Sequence, residues 1–178
     1  MTEGAASLSS LPLATADLCD RLGAAAQVCH LPWRSYGGRT VARGPAATVQ
    51  CLEDAALVRE LLSSPGHGRI LVVDGGGSLR AALLGERMAR LALDSGWAGI
   101  VVHGAVRDVA ALRGLDMAVL ALGQVPARGG RTGAGRQGVA LHLGQAVLHP
   151  GDLVCLDEDG LVVLAAAHGQ PRRPSVAL

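Results

Sequence analysis

Three short apolar runs stand out along the chain: "RILVVDGGG" at 69–77, "AGIVVHG" at 98–104 and "MAVLALG" at 117–123. None alternates polar with apolar positions and each is closed by glycine. That pattern predicts strands covered on both faces, the habit of a parallel sheet. Between and before them the period changes to that of a helix. "LEDAALVRELL" (52–62) has acids in its first turn and apolar residues at Ala56, Leu57, Leu61 and Leu62. "SLRAALLGERMARLALDSG" (78–96) predicts a longer helix from Ser78, with Leu84, Met88, Leu91 and Ala92 on its apolar face and Gly96 as its stop. "AVRDVAALRG" (105–114) reads as a short helix or turn, completing a β-α-β-α-β core.

Outside this core the pattern is looser. "TADLCDRLG" predicts a short helix with Thr15 as N-cap and Gly23 just past its end. "GGRTVARGPAATVQCL" reads as a strand pair or a bent strand, broken around Gly44 and Pro45. The 124–138 stretch, "QVPARGGRTGAGRQG", has five glycines in 15 residues and little to bury, which predicts a mobile loop. From 139 to 164 short strands follow, punctuated by Pro150-Gly151 and Asp159-Gly160. The expectation is one domain at 13–165, a parallel α/β half joined to a β-rich half, with frayed ends at 1–12 and 166–178.

Composition narrows the chemistry. A length of 178 residues, 49% of them hydrophobic, suits one globular domain, and a formal net charge of +1 gives no pull toward nucleic acid or an anionic membrane. The N-terminus carries an acid and no base before a weak apolar stretch, unlike a secretory signal, so a cytoplasmic location is expected. Cys19, Cys29, Cys51 and Cys155 have no C-x-x-C spacing and read as small core residues. The six histidines form no H-x-x-x-H pair. All 16 basic residues are arginine. The absence of lysine excludes a Schiff-base enzyme, a lysine-anchored pyridoxal enzyme and a Walker A loop, so carbon-carbon chemistry here needs another electron sink, for which a metal is the natural candidate.

Several positions remain as candidates for that chemistry. Gly75-x-Gly77 follows a strand, but Arg80 stands where a third glycine would complete G-x-G-x-x-G, so a tight turn or a close ligand or subunit approach competes with a nucleotide site. Gly85 is either a tolerated helical glycine or the true start of the helix; in the second case the amides of Gly85, Glu86, Arg87 and Met88 form an anion site. Arg107 and Asp108 follow the carboxyl end of a central strand, where open α/β sheets bind ligands. Arginine offers a fork for a carboxylate and aspartate a hard oxygen for Mg²⁺, with solvated charges as the alternative. As neighbours in a helix the two would not face each other. His103 is a satisfied structural residue or a proton carrier. Asp157 to Gly160 reads as a hairpin turn, its likeness to a calcium loop being superficial.

Four segments in order, "YGGRTVARGPAATVQCLEDAALV", "GRILVVDGGGSLRAALLGERMARLA", "GWAGIVVHGAVRDV" and "PGDLVCLDEDGLVVL", resemble the RraA family. That family includes regulators of ribonuclease E activity and class II 4-hydroxy-4-methyl-2-oxoglutarate aldolases. The resemblance implies an α/β fold of the swivelling β/β/α type, assembled as a trimer or a dimer of trimers with active sites between subunits. It places substrate binding on Arg107, a divalent cation (Mg²⁺, with Mn²⁺ as the other choice) on Asp108, and the grip on a 2-oxo acid carboxylate on Gly85, Glu86, Arg87 and Met88. The implied activity is retro-aldol cleavage to two pyruvates, with oxaloacetate decarboxylation as a secondary reaction. The base would be outer-shell water or His103. "GGGS" and "CLEDAAL" match the regulator branch more closely, which keeps open a non-enzymatic ring that binds a ribonuclease E-type partner.

Overall fold

The computed structural model describes residue 11 and residues 13–166. The chain enters through α1 (Thr15–Leu22) and a 3-10 turn (Gly23–Ala25). Next come β1 (Gln27–Val28), β2 (Arg34–Ser35) and the long β3 (Ala42–Gln50). Then α2 (Ala56–Leu62), β4 (Ile70–Asp74), β5 (Ala82–Leu84), α3 (Glu86–Asp94), β6 (Gly99–Val106), α4 (Val109–Leu112) and β7 (Ala118–Gln124) alternate. The last part holds β8 (Arg136–Gln137) and two hairpins, β9 (Leu141–Leu143) with β10 (Ala146–Leu148), and β11 (Leu153–Asp157) with β12 (Gly160–Leu164). Apart from Leu11 and Ala166, the frayed ends expected at 1–12 and 166–178 lie outside the described residues; Ala166 donates its amide to Asp152 Oδ1 at 3.0 Å.

The three apolar runs form the centre of one mixed sheet, in the order β1-β12-β11-β3-β4-β6-β7-β2. Strands β3, β4, β6 and β7 run parallel, as unbroken apolar strands should, and the hairpin β11–β12 and its neighbours are antiparallel. The expected parallel half and β-rich half therefore share one sheet, except for β9 and β10, which pair with each other alone. Their junction is β3 itself. Ala42 to Pro45 pair antiparallel with β11, and from Ala46 onward the same strand pairs parallel with β4. The place where a break was expected is where the strand exchanges partners. Gly44 is required there because a Cβ would stand 2.2 Å from the Gly68 carbonyl oxygen.

Each face of the sheet carries a core. On one, α2 and α3 cover Val49, Leu71, Val73, Ile100 and Val102; on the other, the β9–β10 hairpin covers Ile70, Val72, Val101 and Leu120. A smaller cluster sits under α1 around Leu18, Cys155 and Val162. Burying each such aliphatic side chain contributes about 1.5–3 kcal/mol, which is what fixes strand order.

Three expectations are corrected. No long helix starts at Ser78: Ala82–Leu84 forms β5 and α3 begins at Glu86. All three β5 residues are buried, and past the end of β4 they find a free edge on β6, so burial overrides helix propensity. Thr15 is not the N-cap of α1; Ala14 is, while the buried Thr15 gives its amide and hydroxyl to Asp157 at 2.7 Å each. The 124–138 stretch is not a loose loop. Gly129 N bonds Ala82 O, Gly130 N bonds Glu53 O, Ala55 N bonds Gly130 O, and Arg136–Gln137 joins β3 as β8. The hairpin at Asp157 to Gly160 forms as expected, with the two residues in register. Among the described residues no helix is long and apolar enough to cross a membrane.

Candidate functional site

Strand β6 outruns β4, and β5 takes up the vacated edge, with Arg107 N bonded to Leu84 O at 2.9 Å. This sets the residue after β6 against the residue after β5, so Arg107 and Asp108 meet Gly85 at the N-terminus of α3. Asp108 has left-handed backbone angles (φ 59°, ψ 37°) and is the N-cap residue of α4. An aspartate tolerates that conformation better than a bulky side chain, and such strained positions cluster at functional sites. The turn swings its carboxylate back, so that Oδ2 accepts the Glu86 amide at 3.1 Å and lies 3.7 Å from Arg107 Nε. The expectation that Arg107 and Asp108 do not face each other is thereby corrected: the left-handed residue takes the pair out of helical geometry.

The anion site expected from free amides at Gly85 to Met88 is also modified. Asp108 occupies the Glu86 amide, and Met88 N bonds Gly85 O at 3.1 Å. What the structure brings together is a helix N-terminus already capped by the half-exposed carboxylate of Asp108. Gly85 is needed for this approach, since a Cβ there would stand 2.7 Å from Asp108 Oδ2 and 3.2 Å from Arg107 Nε. Its backbone is extended (φ −140°), so the constraint is space and not conformation. Glu86 turns its own carboxylate to Arg90, at 2.7 Å. Arg107 and Asp108 side chains are 39% and 43% exposed, open enough for a ligand to reach both.

These residues line a cleft of about 1410 Å³, bounded also by Arg59 of α2 and by Arg128 to Arg131. Sequence reasoning missed this far wall. Its signal was two arginines inside a glycine-rich stretch, which composition alone marks as a loop. His103 does not line the cleft. It sits on the other face of the sheet in a row of directly opposed residues, with Nδ1 2.9 Å from Asp74 Oδ1 and Gln50 Nε2 3.1 Å from Asp74 Oδ2. Burial pushes the Asp74 carboxyl up, but the bonds from His103, Gln50 and the Gly76 amide outweigh it and leave its pKa at about 2. Gly75 to Gly77 form a tight turn, Gly75 and Gly77 both donating to the His103 carbonyl. Cys29, Cys51 and Cys155 are buried as expected, with desolvation raising their thiols to about 12, 11 and 11. Cys19 is half-buried.

A divalent cation fits the donor set only in one way. Among the described residues no three His, Cys, Asp or Glu side chains converge to hold a metal. Asp108 offers one half-exposed carboxylate, which suits Mg²⁺, an ion that keeps several waters and binds through one or two carboxylates. It does not suit zinc, which takes several protein ligands.

Comparison with known proteins agrees with this fold. The model of a family described as RraA-like (Aldolase/RraA) matches residues 15–163. A crystal structure from Geobacillus kaustophilus, named as an S-adenosylmethionine:2-dimethylmenaquinone methyltransferase, is 44% identical with a TM-score of 0.84, over 87% of this chain and 96% of that one. The RNA-processing inhibitor RraA from Thermus thermophilis is 40% identical with a TM-score of 0.82, over 92% and 97%. An unusual member of the RNase ES inhibitor RraA family from Streptomyces coelicolor is 29% identical with a TM-score of 0.70, over 86% and 79%. Sequence match and shared fold point the same way: the chain belongs to the RraA-like family.

Proposed function

We propose that the protein is a divalent-metal-dependent lyase that cleaves 4-hydroxy-4-methyl-2-oxoglutarate to two pyruvates and decarboxylates oxaloacetate as a secondary activity. The observation that carries this reading is the corner formed by Arg107, Asp108 and Gly85, open to a cleft and built without any lysine. The names of the similar structures disagree with one another, so the reading rests on the residues.

Asp108 would hold the cation. When bound, that cation supplies a Lewis acid for the negative charge that develops on the 2-oxo acid as the carbon-carbon bond breaks. Arg107 offers its guanidinium to the substrate carboxylate, and its 3.7 Å contact with Asp108 Oδ2 orients both. The positive end of α3, at Glu86 and Arg87, favours the same carboxylate. His103 lies on the far face of the sheet from this cleft, so the C4 hydroxyl proton is assigned to water in this reading. In this reading the chain works as a trimer or a dimer of trimers whose clefts lie between subunits. Pyruvate release should require added Mg²⁺ or Mn²⁺, stop with EDTA, and fall on the order of a hundredfold or more in Asp108→Ala, about 2.7 kcal/mol of barrier. Undiminished turnover by that variant would reject the proposal.

A second reading is favoured by the 40% identity to a protein named as an RNA-processing inhibitor: a ring that binds a ribonuclease E-type enzyme and slows it. Inhibition of such a ribonuclease by wild type and Asp108→Ala alike, with no pyruvate formed by either, would select it.

A further inference from the structure

Strand β6 changes neighbours along its length, and the change is organised at one residue, His103. Up to His103 the strand lies between β4 and β7; beyond it β4 has turned away at Gly75 and β5 takes the edge. The His103 carbonyl accepts both turn amides, from Gly75 at 3.0 Å and Gly77 at 3.1 Å, and its Nδ1 stands 2.9 Å from Asp74 Oδ1. Asp74, only 8% exposed, accepts two further bonds, from the Gly76 amide at 3.0 Å and Gln50 Nε2 at 3.1 Å. An ionised carboxylate only accepts, so His103 Nδ1 is the donor.

Against β7 the register slips at the same place. Val102 lies opposite Ala121 and Ala105 opposite Gly123, so His103 and Gly104 share Leu122 and β6 carries one extra residue there, a β-bulge. The segment that continues β7 is tied to β5, through Ala82 with Ala127 and Gly129. A slip that absorbed the bulge would therefore move Arg107 and Asp108 about 3.3 Å past Gly85 and turn their side chains to the opposite face. The turn and the bulge also seat β5. A Cβ at Gly75 would stand 2.5 Å from Leu83 Cδ1 and one at Gly104 3.6 Å from the same atom, so the buried Leu83 packs against both. Gly85 follows it two residues on.

We propose that Asp74 and His103 are positioning residues: their hydrogen bond pins the β6 bulge and the glycine socket of Leu83, and so sets Gly85 against Arg107 and Asp108. Neither lines the cleft. The assignment rests on the reading of that corner as the functional site. Gln50 reaches the same carboxylate from β3, away from β6, and serves as the internal control.

The corner can be read without turnover, from hydrogen exchange of the Glu86 amide, bonded to Asp108, and of the Arg107 amide, bonded to Leu84. His103→Leu keeps bulk and loses the donor. It should speed exchange at both amides by on the order of tenfold relative to the Ala46 amide, which bonds Asp152 O in the middle of β3, and lower kcat for pyruvate release at least tenfold. His103→Asn puts an amide donor near the place of Nδ1 and should bring both readouts back to within about twofold of wild type. Gln50→Met withdraws a donor from Asp74 without touching β6; it should lower stability in urea yet leave both readouts within about twofold. If His103→Leu does not fold, Gly104→Ala carries the same expectation, because its Cβ would stand 3.3 Å from the Ser78 carbonyl oxygen and disturb the bulge with the Asp74 contacts in place. Exchange that rises at Ala46 as much as at the corner, or a His103→Asn protein as impaired as His103→Leu, overturns the proposal. Selective opening of the corner, reversed by asparagine, in a protein that never releases pyruvate supports the positioning role and removes the lyase; pyruvate release by a His103→Leu protein whose corner stays closed does the reverse.

Discussion

Asp108 combines two roles that separate under substitution. Its Oδ2 caps α3 through the Glu86 amide, a structural task, while the residue also lines the cleft. Asparagine tolerates the left-handed backbone and keeps a carbonyl acceptor, so Asp108→Asn should unfold within about 0.5 kcal/mol of wild type in urea yet release pyruvate far more slowly. Asp108→Ala loses the cap as well and should cost roughly 1 kcal/mol of stability. Equal stability losses in both variants would show that the cap bond is not what holds the corner. Asp54 and Asp74 make a pH-dependent contribution of defined sign. The Thr132 hydroxyl, with the Ala56, Thr132 and Gly133 amides, holds Asp54 near 2, and the His103 network holds Asp74 at a similar value. An unfolded aspartate titrates near about 3.9, so their stabilisation is complete above roughly pH 4 and is lost as the pH falls toward 2. Melting temperatures from pH 5 to 2 should therefore drop more steeply for wild type than for Asp54→Asn, where one of the two carboxylates is gone.

Among the elements, α3 shows what the sequence made legible and what it hid. Its apolar period and its stop at Gly96 were readable, because a glycine in the left-handed region (φ 77°) ends the helix as its position suggests. Its start was not. Ala82, Leu83 and Leu84 fit a helical face as well as a strand, and only the edge that β6 leaves beyond β4 decides between them. The Arg107–Asp108 pair was legible as chemistry at a strand exit, whereas their mutual contact depended on one backbone angle that no residue pattern encodes. The Asp54–Thr132 hydrogen bond joins positions 78 apart in sequence, which local reading cannot reach. Because Gly85 is constrained by space alone, Gly85→Ala should leave α3 helical by circular dichroism while displacing Asp108 and lowering pyruvate release at least tenfold. Retained activity in that variant would mean the corner relaxes without functional loss.

At the scale of the molecule, α1 is fastened to the β11–β12 hairpin by two bonds from Thr15 to Asp157. Thr15→Val removes the hydroxyl donor and should lower stability by about 1–2 kcal/mol without altering KM, a change readable by urea titration beside a kinetic assay. The fastening is on the β11–β12 hairpin and the site at the ends of β5 and β6, and the two are linked through β3. A backbone that is antiparallel rung at one end and parallel rung at the other leaves no seam along which the halves could part. Among the described residues the two halves have a strand in common and not a linker between them, so on heating both should come undone together, in one calorimetric peak.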